Sequence, residues 1–193
     1  MKRFVFGAFW FLALVIAVPA AGEVNTVGLA DATVLIIRHA EKPDSSSGLS
    51  PAGEARAKAY VGYFQHLVVD GVRFRPDMLV ASTDSPHSAR ERLTLTPLSQ
   101  ALGLPIDLRF ANKHEAALAH ALATENHGKS ILICWHHGHI PNLIRALGAD
   151  PNALLPESKW PASVFDWVVA LHYDHTGRLV PRSARIIREE IEN

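Results

Sequence analysis

The pattern of hydrophobic and polar positions divides the chain into alternating strands and helices. Three short aliphatic runs, 33–37, 77–81 and 130–135, have the length and continuous hydrophobicity of strands buried on both faces. Apolar residues recur at helical spacing in four further segments, 51–67, 88–102, 115–125 and 141–148. Strands that alternate with helices predict a three-layer α/β/α sandwich with a mostly parallel central sheet.

Local signals mark where several of these elements begin and end. Ser50 is a typical N-cap residue, and Pro51 behind it suits the first helical position. Gly103 is placed to end the second helix. The remaining expectations are a short strand over 104–108, a proline-rich loop over 151–161, and two strands, 165–173 and 178–187, joined by a turn at 174–177.

Polar residues follow each of the three buried strands at the point where it ends. They are Arg38 and His39 after the first strand, the loop from Ser82 to Arg90 after the second, and His136 and His137 after the third. In parallel sheets, ligands bind in the crevice outside the carboxyl ends of the strands. The sequence therefore predicts one site at this edge, built from arginines and histidines.

Arginine and histidine together suit phosphoryl transfer. The transferring group carries negative charge on its equatorial oxygens, so catalysis depends mainly on positioning and charge stabilisation. An arginine fork donates two parallel hydrogen bonds to a phosphate and stays charged. A neutral imidazole can attack phosphorus and form a covalent phosphohistidine, which water later hydrolyses.

Composition narrows the range of partners. Of the 193 residues, 48% are hydrophobic and 20% are charged, which is enough apolar material for a packed core. The 19 basic residues equal the 19 acidic ones, so there is no broad electrostatic attraction to nucleic acid. Cys134 is the single cysteine, so neither an intramolecular disulfide nor a four-cysteine zinc site can form.

Residues 1–22 have the pattern of an export signal. Lys2 and Arg3 precede an apolar run over 4–18, and small residues follow it directly. The run is shorter than the ~20 residues of a spanning helix, which favours a cleaved signal over a membrane anchor. We therefore expect residues 23–193 to form one periplasmic or secreted domain, with no stable membrane association after cleavage.

Four motifs resemble, in order, those of the histidine phosphatase superfamily, which has the phosphoglycerate-mutase-like fold. They are LIIRHAEKP, LSPAGEARA, the stretch containing Ser82, Arg90 and Thr94, and GKSILICWHHGHIPNLIRALG. Together they span residues 33–148. An Arg-His pair alone would be weak support, whereas four motifs in the same order are specific.

The resemblance implies roles for the residues at the sheet edge. His39 is the nucleophile, Arg38 and Arg90 hold the phosphate, and a second histidine completes the pocket. Ungapped spacing along the third strand favours His136 as that histidine, whereas the following glycine and similarity to relatives favour His137, which we predict. Two arginines and one or two histidines would neutralise a phosphate by themselves, so we expect no metal and no cofactor.

Two assignments stay open at this point. The loop between the second strand and the second helix is longer than is usual in the family, so either Ser82 or Ser85 could be the family's loop serine. The general acid that protonates the leaving group could be Glu115 or Glu41.

The resulting hypothesis is a metal-independent phosphomonoesterase that acts on a small phosphorylated substrate through a phosphohistidine on His39. One alternative is a non-catalytic protein that binds a phosphorylated ligand in the same pocket. A mutase is disfavoured because the chain lacks enclosing insertions, and a metal site at His136, His137 and His139 is disfavoured because no carboxylate stands at ligand spacing. The substrate and the oligomeric state do not follow from the sequence.

Overall fold

The structure is a computed structural model that describes Met1, residues 28–125 and residues 127–191. Apart from Met1, the expected export signal lies outside the described residues. Within the described ranges, no helix has the length and hydrophobicity needed to cross a membrane. The expected division at residue 22 therefore stays a prediction.

Six of the described strands form one mixed sheet. In chain order the strands are β1 (Thr33–Arg38), β2 (Val68–Val69), β3 (Val72–Arg73), β4 (Met78–Ala81), β5 (Ile106–Asp107), β6 (Ser130–Trp135), β7 (Trp167–His172) and β8 (Arg185–Arg188). The order across the sheet is β5-β4-β6-β1-β7-β8, and β2 pairs separately with β3. The first four strands in that order are parallel, β7 is antiparallel to β1, and β8 is antiparallel to β7.

Helices cover both faces of the sheet. They are α1 (Pro51–His66), α2 (Arg90–Leu102), α3 (Glu115–Thr124), α4 (Ile140–Ala146), α5 (Pro151–Leu154) and a 3₁₀ turn (Pro156–Ser158). Alternate residues of β1 enter different cores: Val34 and Ile36 pack with side chains of α3 and α4, and Leu35 and Ile37 pack with side chains of α1 and α2. This two-sided burial explains the continuous apolar runs and confirms the three-layer sandwich.

The strand register brings three strand ends to one level. Arg38 of β1 is opposite Trp135 of β6, and Cys134 of β6 is opposite Ala81 of β4. The residues that follow these strands therefore emerge side by side at the carboxyl edge. Ser50 caps α1 by accepting a hydrogen bond from the Gly53 backbone, as expected for its position.

Three sequence expectations about local structure were wrong or incomplete. Residues 151–161 are not only loop, since Asp150 caps the short helix α5 and a 3₁₀ turn follows. The last strand begins at Arg185 and not at residue 178, after an irregular segment in which Leu179 alone makes an isolated bridge. The small hairpin β2–β3 was not predicted, although its Asp70-Gly71 turn, with both φ angles positive, is a strong hairpin signal.

Candidate active site

The expected arginines and histidines do meet at the carboxyl edge of the sheet. Arg38 ends β1, and His39 follows it. His136 follows β6, whose last residue pairs with Arg38. Arg90 is the first residue of α2. The amino-terminal part of this helix reaches the same edge, since the Thr94 hydroxyl links the Arg90 carbonyl to the Ala40 N–H next to His39. All four groups lie around one small region of the surface.

Arg38 is buried and held by the segment that leads into β7. Its Nη1 donates hydrogen bonds to the carbonyl oxygens of Ala162 at 2.6 Å and of Val164 at 3.1 Å. Its guanidinium stacks on the ring of Phe165, 3.8 Å from the centroid. Burial lowers the pKa of Arg38 to about 10, with Glu41 and Glu91 opposing the shift, so the side chain stays charged at neutral pH.

His39 is held in one tautomer by the backbone. Its Nδ1 lies 2.7 Å from the carbonyl oxygen of Ala40. Because a carbonyl oxygen only accepts, Nδ1 carries the hydrogen and Nε2 of the neutral ring keeps its lone pair. Burial, with a smaller contribution from the charges of Arg38, His136 and Arg90, lowers the pKa of His39 to about 3 against the opposing effect of the Ala40 hydrogen bond. The imidazole is therefore neutral at physiological pH, with Nε2 as its nucleophilic atom.

The chain that follows His39 is fixed by contacts with both helices of one face. The Ala40 N–H donates to Thr94 Oγ1 at 2.9 Å, and that hydroxyl donates to the Arg90 carbonyl at 2.7 Å. The Glu41 carbonyl accepts from the Ser50 N–H at 2.9 Å. The position of His39 is thus set by α1 and α2 as well as by β1.

Arg90 is anchored by carbonyl groups of the 46–48 loop. Its Nη2 donates to the Ser46 carbonyl at 2.7 Å, and its Nε donates to the Gly48 carbonyl at 3.2 Å. Ser88 adds a hydroxyl contact to Nη1 at 3.2 Å. Among the described residues Arg90 forms no direct salt bridge, although Ser88 Oγ contacts both its Nη1 and the carboxyl of Glu91.

The second-histidine position is occupied by two adjacent rings. The His136 ring centroid lies 5.8 Å from that of His39 and 4.6 Å from that of His137. The Gly138 N–H donates to His136 Nδ1 at 3.1 Å, so the neutral ring carries its hydrogen on Nε2. Burial, followed by the charges of neighbouring histidines, lowers the pKa of His136 to about 4. The strand ends at Trp135, so strand alternation does not force the two rings to opposite faces.

His137 makes no ring contact with His39 among the described residues, and it contacts His136 instead. Burial, followed by the charge of Arg38, lowers the pKa of His137 against the effect of the Trp160 backbone. Among the described residues, His136 and not His137 is therefore the ring next to His39. The geometry thus favours His136 as the second histidine of the site, whereas similarity to relatives had favoured His137.

The first candidate acid, Glu41, is engaged in a buried charge network. Arg56 donates to both Glu41 oxygens, with Nη2 to Oε1 at 2.8 Å, and donates from Nη1 to Glu189 Oε2, also at 2.8 Å. Tyr60 donates to the other oxygen of Glu189 at 2.8 Å. Burial raises the pKa of Glu189 to about 7. This network joins the loop that follows His39 to Glu189 near the end of the chain, and it engages the Glu41 carboxylate.

The second candidate acid, Glu115, contacts a histidine. Its Oε1 lies 2.8 Å from Nδ1 of His139, and the Glu115 residue is 8% exposed. Across the ranges that the structure describes, no group of three or more His, Cys, Asp or Glu side chains is arranged to hold a metal ion.

Sequence reasoning missed the buried carboxyl of Glu91. The residue is 2% exposed; its Oε2 accepts from Ser88, and its Oε1 has no hydrogen-bond partner among the described residues. Burial raises the pKa of Glu91. An acidic residue in the first turn of a helix is common on a surface, so the sequence carried no signal that this one is buried.

The structure also distinguishes the two serines of the long loop. Ser82 is 1% exposed, directly after β4. Ser85 is exposed, and its hydroxyl accepts from the backbone of His87 and Ser88 within a turn. Ser82 is thus the serine at the sheet edge, whereas Ser85 shapes the turn that leads to α2.

Comparison with known proteins gives a match in fold. No family model matches the chain, and no curated protein matches it by sequence. A phosphoglycerate mutase from Plasmodium falciparum aligns with a TM-score of 0.50 and 14% identity, over 83% of this chain and 92% of its own. This confirms the phosphoglycerate-mutase-like fold class that the sequence resemblance implied.

Two further solved structures align at slightly lower scores. A protein from Agrobacterium tumefaciens classed as the phosphohistidine phosphatase SixA aligns with a TM-score of 0.48 and 21% identity, over 81% of this chain and 96% of its own. The mycobacterial glucosyl-3-phosphoglycerate phosphatase in complex with inorganic phosphate aligns with a TM-score of 0.45 and 15% identity, over 82% and 95%.

Proposed function

We propose that the protein is a phosphatase of the histidine phosphatase type that hydrolyses a phosphomonoester through a phosphohistidine on His39. The observation that carries the proposal is the hydrogen bond between His39 Nδ1 and the Ala40 carbonyl in a buried site. It leaves a neutral imidazole whose Nε2 is the nucleophilic atom, beside two arginines that suit a phosphate dianion. The fold shared with a phosphoglycerate mutase agrees with phosphoryl transfer.

In this mechanism the charged side chains bind and the neutral ring attacks. Arg38 and Arg90 hold the phosphoryl oxygens, and His136 donates its Nε2 hydrogen to one of them. Nε2 of His39 forms a bond to phosphorus as the bond to the leaving oxygen breaks in line with it. Water then attacks phosphorus, the phosphorus–nitrogen bond breaks, and inorganic phosphate leaves.

Chemical quench during turnover tests the nucleophile directly. The wild-type protein should carry an acid-labile, base-stable phosphate that maps to His39, and His39→Ala should lose turnover while it keeps its fold. The control is His120→Gln, which replaces an exposed histidine on α3 and should behave as wild type. If His39→Ala retains most of the activity, or if the trapped phosphate maps to Ser82 or Ser85, the mechanism is wrong.

We further propose that the reaction needs no metal and that the substrate is a small phosphorylated molecule outside the cytoplasm. Two guanidinium groups and an imidazole donor can offset the charge of a phosphate without a cation. Activity in excess chelator should equal activity without it. A loss in chelator that zinc restores would instead favour the alternative site at His136, His137 and His139.

A phosphate-release assay also separates catalysis from binding alone. A protein that binds phosphate at the Arg38 and Arg90 pair and releases none from a broad panel of phosphomonoesters would support the non-catalytic alternative.

A further inference from the structure

A histidine–carboxylate pair stands beside the proposed phosphate position. Glu115 is the first residue of α3, and His139 directly precedes α4. Their contact joins two helices on the same face of the sheet, and Glu115 Oε1 lies 2.8 Å from His139 Nδ1. The carboxylate is nearly buried, whereas 28% of the histidine side chain is exposed. The histidine is thus the member of the pair that a substrate can reach.

The contact determines how the His139 ring is used. A carboxylate oxygen accepts, so Nδ1 of His139 donates to it. In an imidazole the other nitrogen, Nε2, lies on the opposite side of the ring from this bond. A protonated ring so held presents an N–H away from Glu115, which is the arrangement of a carboxylate-oriented general acid.

The position of His139 relative to the nucleophile fits this use. His136 is a common neighbour of both rings: its centroid lies 5.8 Å from that of His39 and 5.8 Å from that of His139. In-line transfer requires the nucleophile and the leaving oxygen on opposite sides of phosphorus. A phosphoryl group hydrogen-bonded to His136 would therefore lie near both rings, and the proposal places His39 and His139 on its two sides.

We propose that His139 is the general acid that protonates the leaving oxygen and that Glu115 positions it, an inference that rests on the proposed phosphatase function. As His39 Nε2 bonds to phosphorus, the bond to the leaving oxygen breaks, its electron pair stays on that oxygen, and the proton of His139 Nε2 passes to it. In the second step water bonds to phosphorus, its proton returns to His139, and the phosphorus–nitrogen bond breaks. The ring ends each cycle as it began.

The test compares leaving groups that need a proton with one that does not. His139→Asn keeps a side-chain N–H near Glu115 but removes Nε2. For glycerol 2-phosphate, whose alkoxide leaves poorly, kcat/KM should fall by ~10² or more, as loss of a general acid typically causes. For p-nitrophenyl phosphate, whose phenolate leaves unprotonated, kcat/KM should be largely retained, with a nitrophenolate burst followed by slow turnover because water lacks its base.

Two further variants complete the experiment. Glu115→Gln should show the same leaving-group dependence with a smaller loss, since it removes the charge but keeps a hydrogen-bond partner. His114→Gln alters the exposed neighbouring histidine and should leave both rates unchanged.

The outcomes separate the two proposals. Equal losses of kcat/KM on both substrates in His139→Asn, or no loss on glycerol 2-phosphate, would overturn the general-acid role while the phosphatase function stood. A wild-type protein that hydrolyses neither substrate and traps no phosphohistidine would overturn both.

Discussion

Two neighbouring imidazoles in the site carry their hydrogens on different ring nitrogens. The Ala40 carbonyl accepts a hydrogen bond from Nδ1 of His39, and the Gly138 N–H donates one to Nδ1 of His136. In their neutral forms, the His39 ring therefore keeps a lone pair on Nε2 and the His136 ring keeps a hydrogen there, although both residues follow a strand in the same way. Single backbone contacts decide the division of roles, because each one fixes a tautomer.

The assignment of the second histidine gives a direct prediction. His136→Ala should lower turnover by ~10² or more, as the removal of one stabilising donor often does. His137→Ala should lower turnover much less, because the described ring contact with His39 is made by His136 and not by His137. The adjacent rings, 4.6 Å apart, serve as controls for each other in steady-state assays. The reverse ranking would return the role to His137.

The low pKa of His39 predicts how stability depends on pH. Its pKa is about 3 in the folded protein against an ordinary value of 6.5, so between these values the unfolded chain binds a proton that the folded protein excludes. The free energy of unfolding should therefore fall as the pH drops from 6.5 towards 3, by on the order of a few kcal/mol, since one pKa unit corresponds to about 1.4 kcal/mol.

A substitution isolates this contribution. Denaturant titrations of His39→Gln should show a weaker decline of stability below pH 6.5, because glutamine does not titrate. The exposed His120→Gln is the matched control and should keep the wild-type pH dependence. Identical slopes for His39→Gln and wild type would contradict the burial of a neutral ring at position 39.

At the scale of elements, the backbone of helix α1 packs closely against the loop that follows His39. A Cβ at Gly53 would lie 2.3 Å from the Glu41 carbonyl oxygen, whereas a Cβ at Gly62 of the same helix would meet nothing within 4 Å. Only one of the two glycines is required by packing. The loop that follows His39 therefore depends on the absence of a side chain at Gly53, in the first turn of α1.

These glycines form a matched pair for substitution. Gly53→Ala should displace the Glu41 peptide, lower stability and reduce turnover together. Gly62→Ala should keep full activity and gain about 0.5–1 kcal/mol of stability, because alanine is the better helix former. Thermal unfolding and steady-state kinetics on both proteins measure the effects. Full activity in Gly53→Ala would show that the loop tolerates displacement.

At the scale of the whole molecule, residues far apart in sequence complete the site. Arg38 bonds to the Ala162 carbonyl across 124 positions, and Arg56 bonds to Glu189 across 133. Residues late in the chain thus hold Arg38 and, through Arg56 and Glu41, the loop that follows His39. Residues outside the four family-like motifs therefore help to shape the candidate site.

Export is a prediction about the whole chain. If residues 1–22 are a cleaved signal, protein recovered from the periplasm or medium should begin near Ala21 or Glu23, because small residues precede that point. N-terminal sequencing and intact mass measure this directly. Recovery of the protein with an intact Met1 in a membrane fraction would contradict the prediction of a cleaved export signal and a soluble exported domain.

The sequence by itself determined the layered fold and the edge where the site lies. The strands over 33–37 and 130–135 can be predicted because a strand buried on both faces needs a continuous run of hydrophobic residues. Residues that follow parallel strands lie at one edge of the sheet. The helix start at Ser50 can be predicted because capping depends only on nearby residues. These features depend on neighbours within a few residues, so the pattern alone specifies them.

Only the tertiary structure decided which side chains at that edge are available for chemistry. It placed His136 beside His39, engaged Glu41 with Arg56, and paired Glu115 with His139. Each outcome depends on distances between residues that lie on different elements, which packing sets and no local pattern encodes. The residue types in the sequence can therefore indicate candidate reacting groups, but burial and hydrogen-bond partners in the folded protein determine their tautomers and charges.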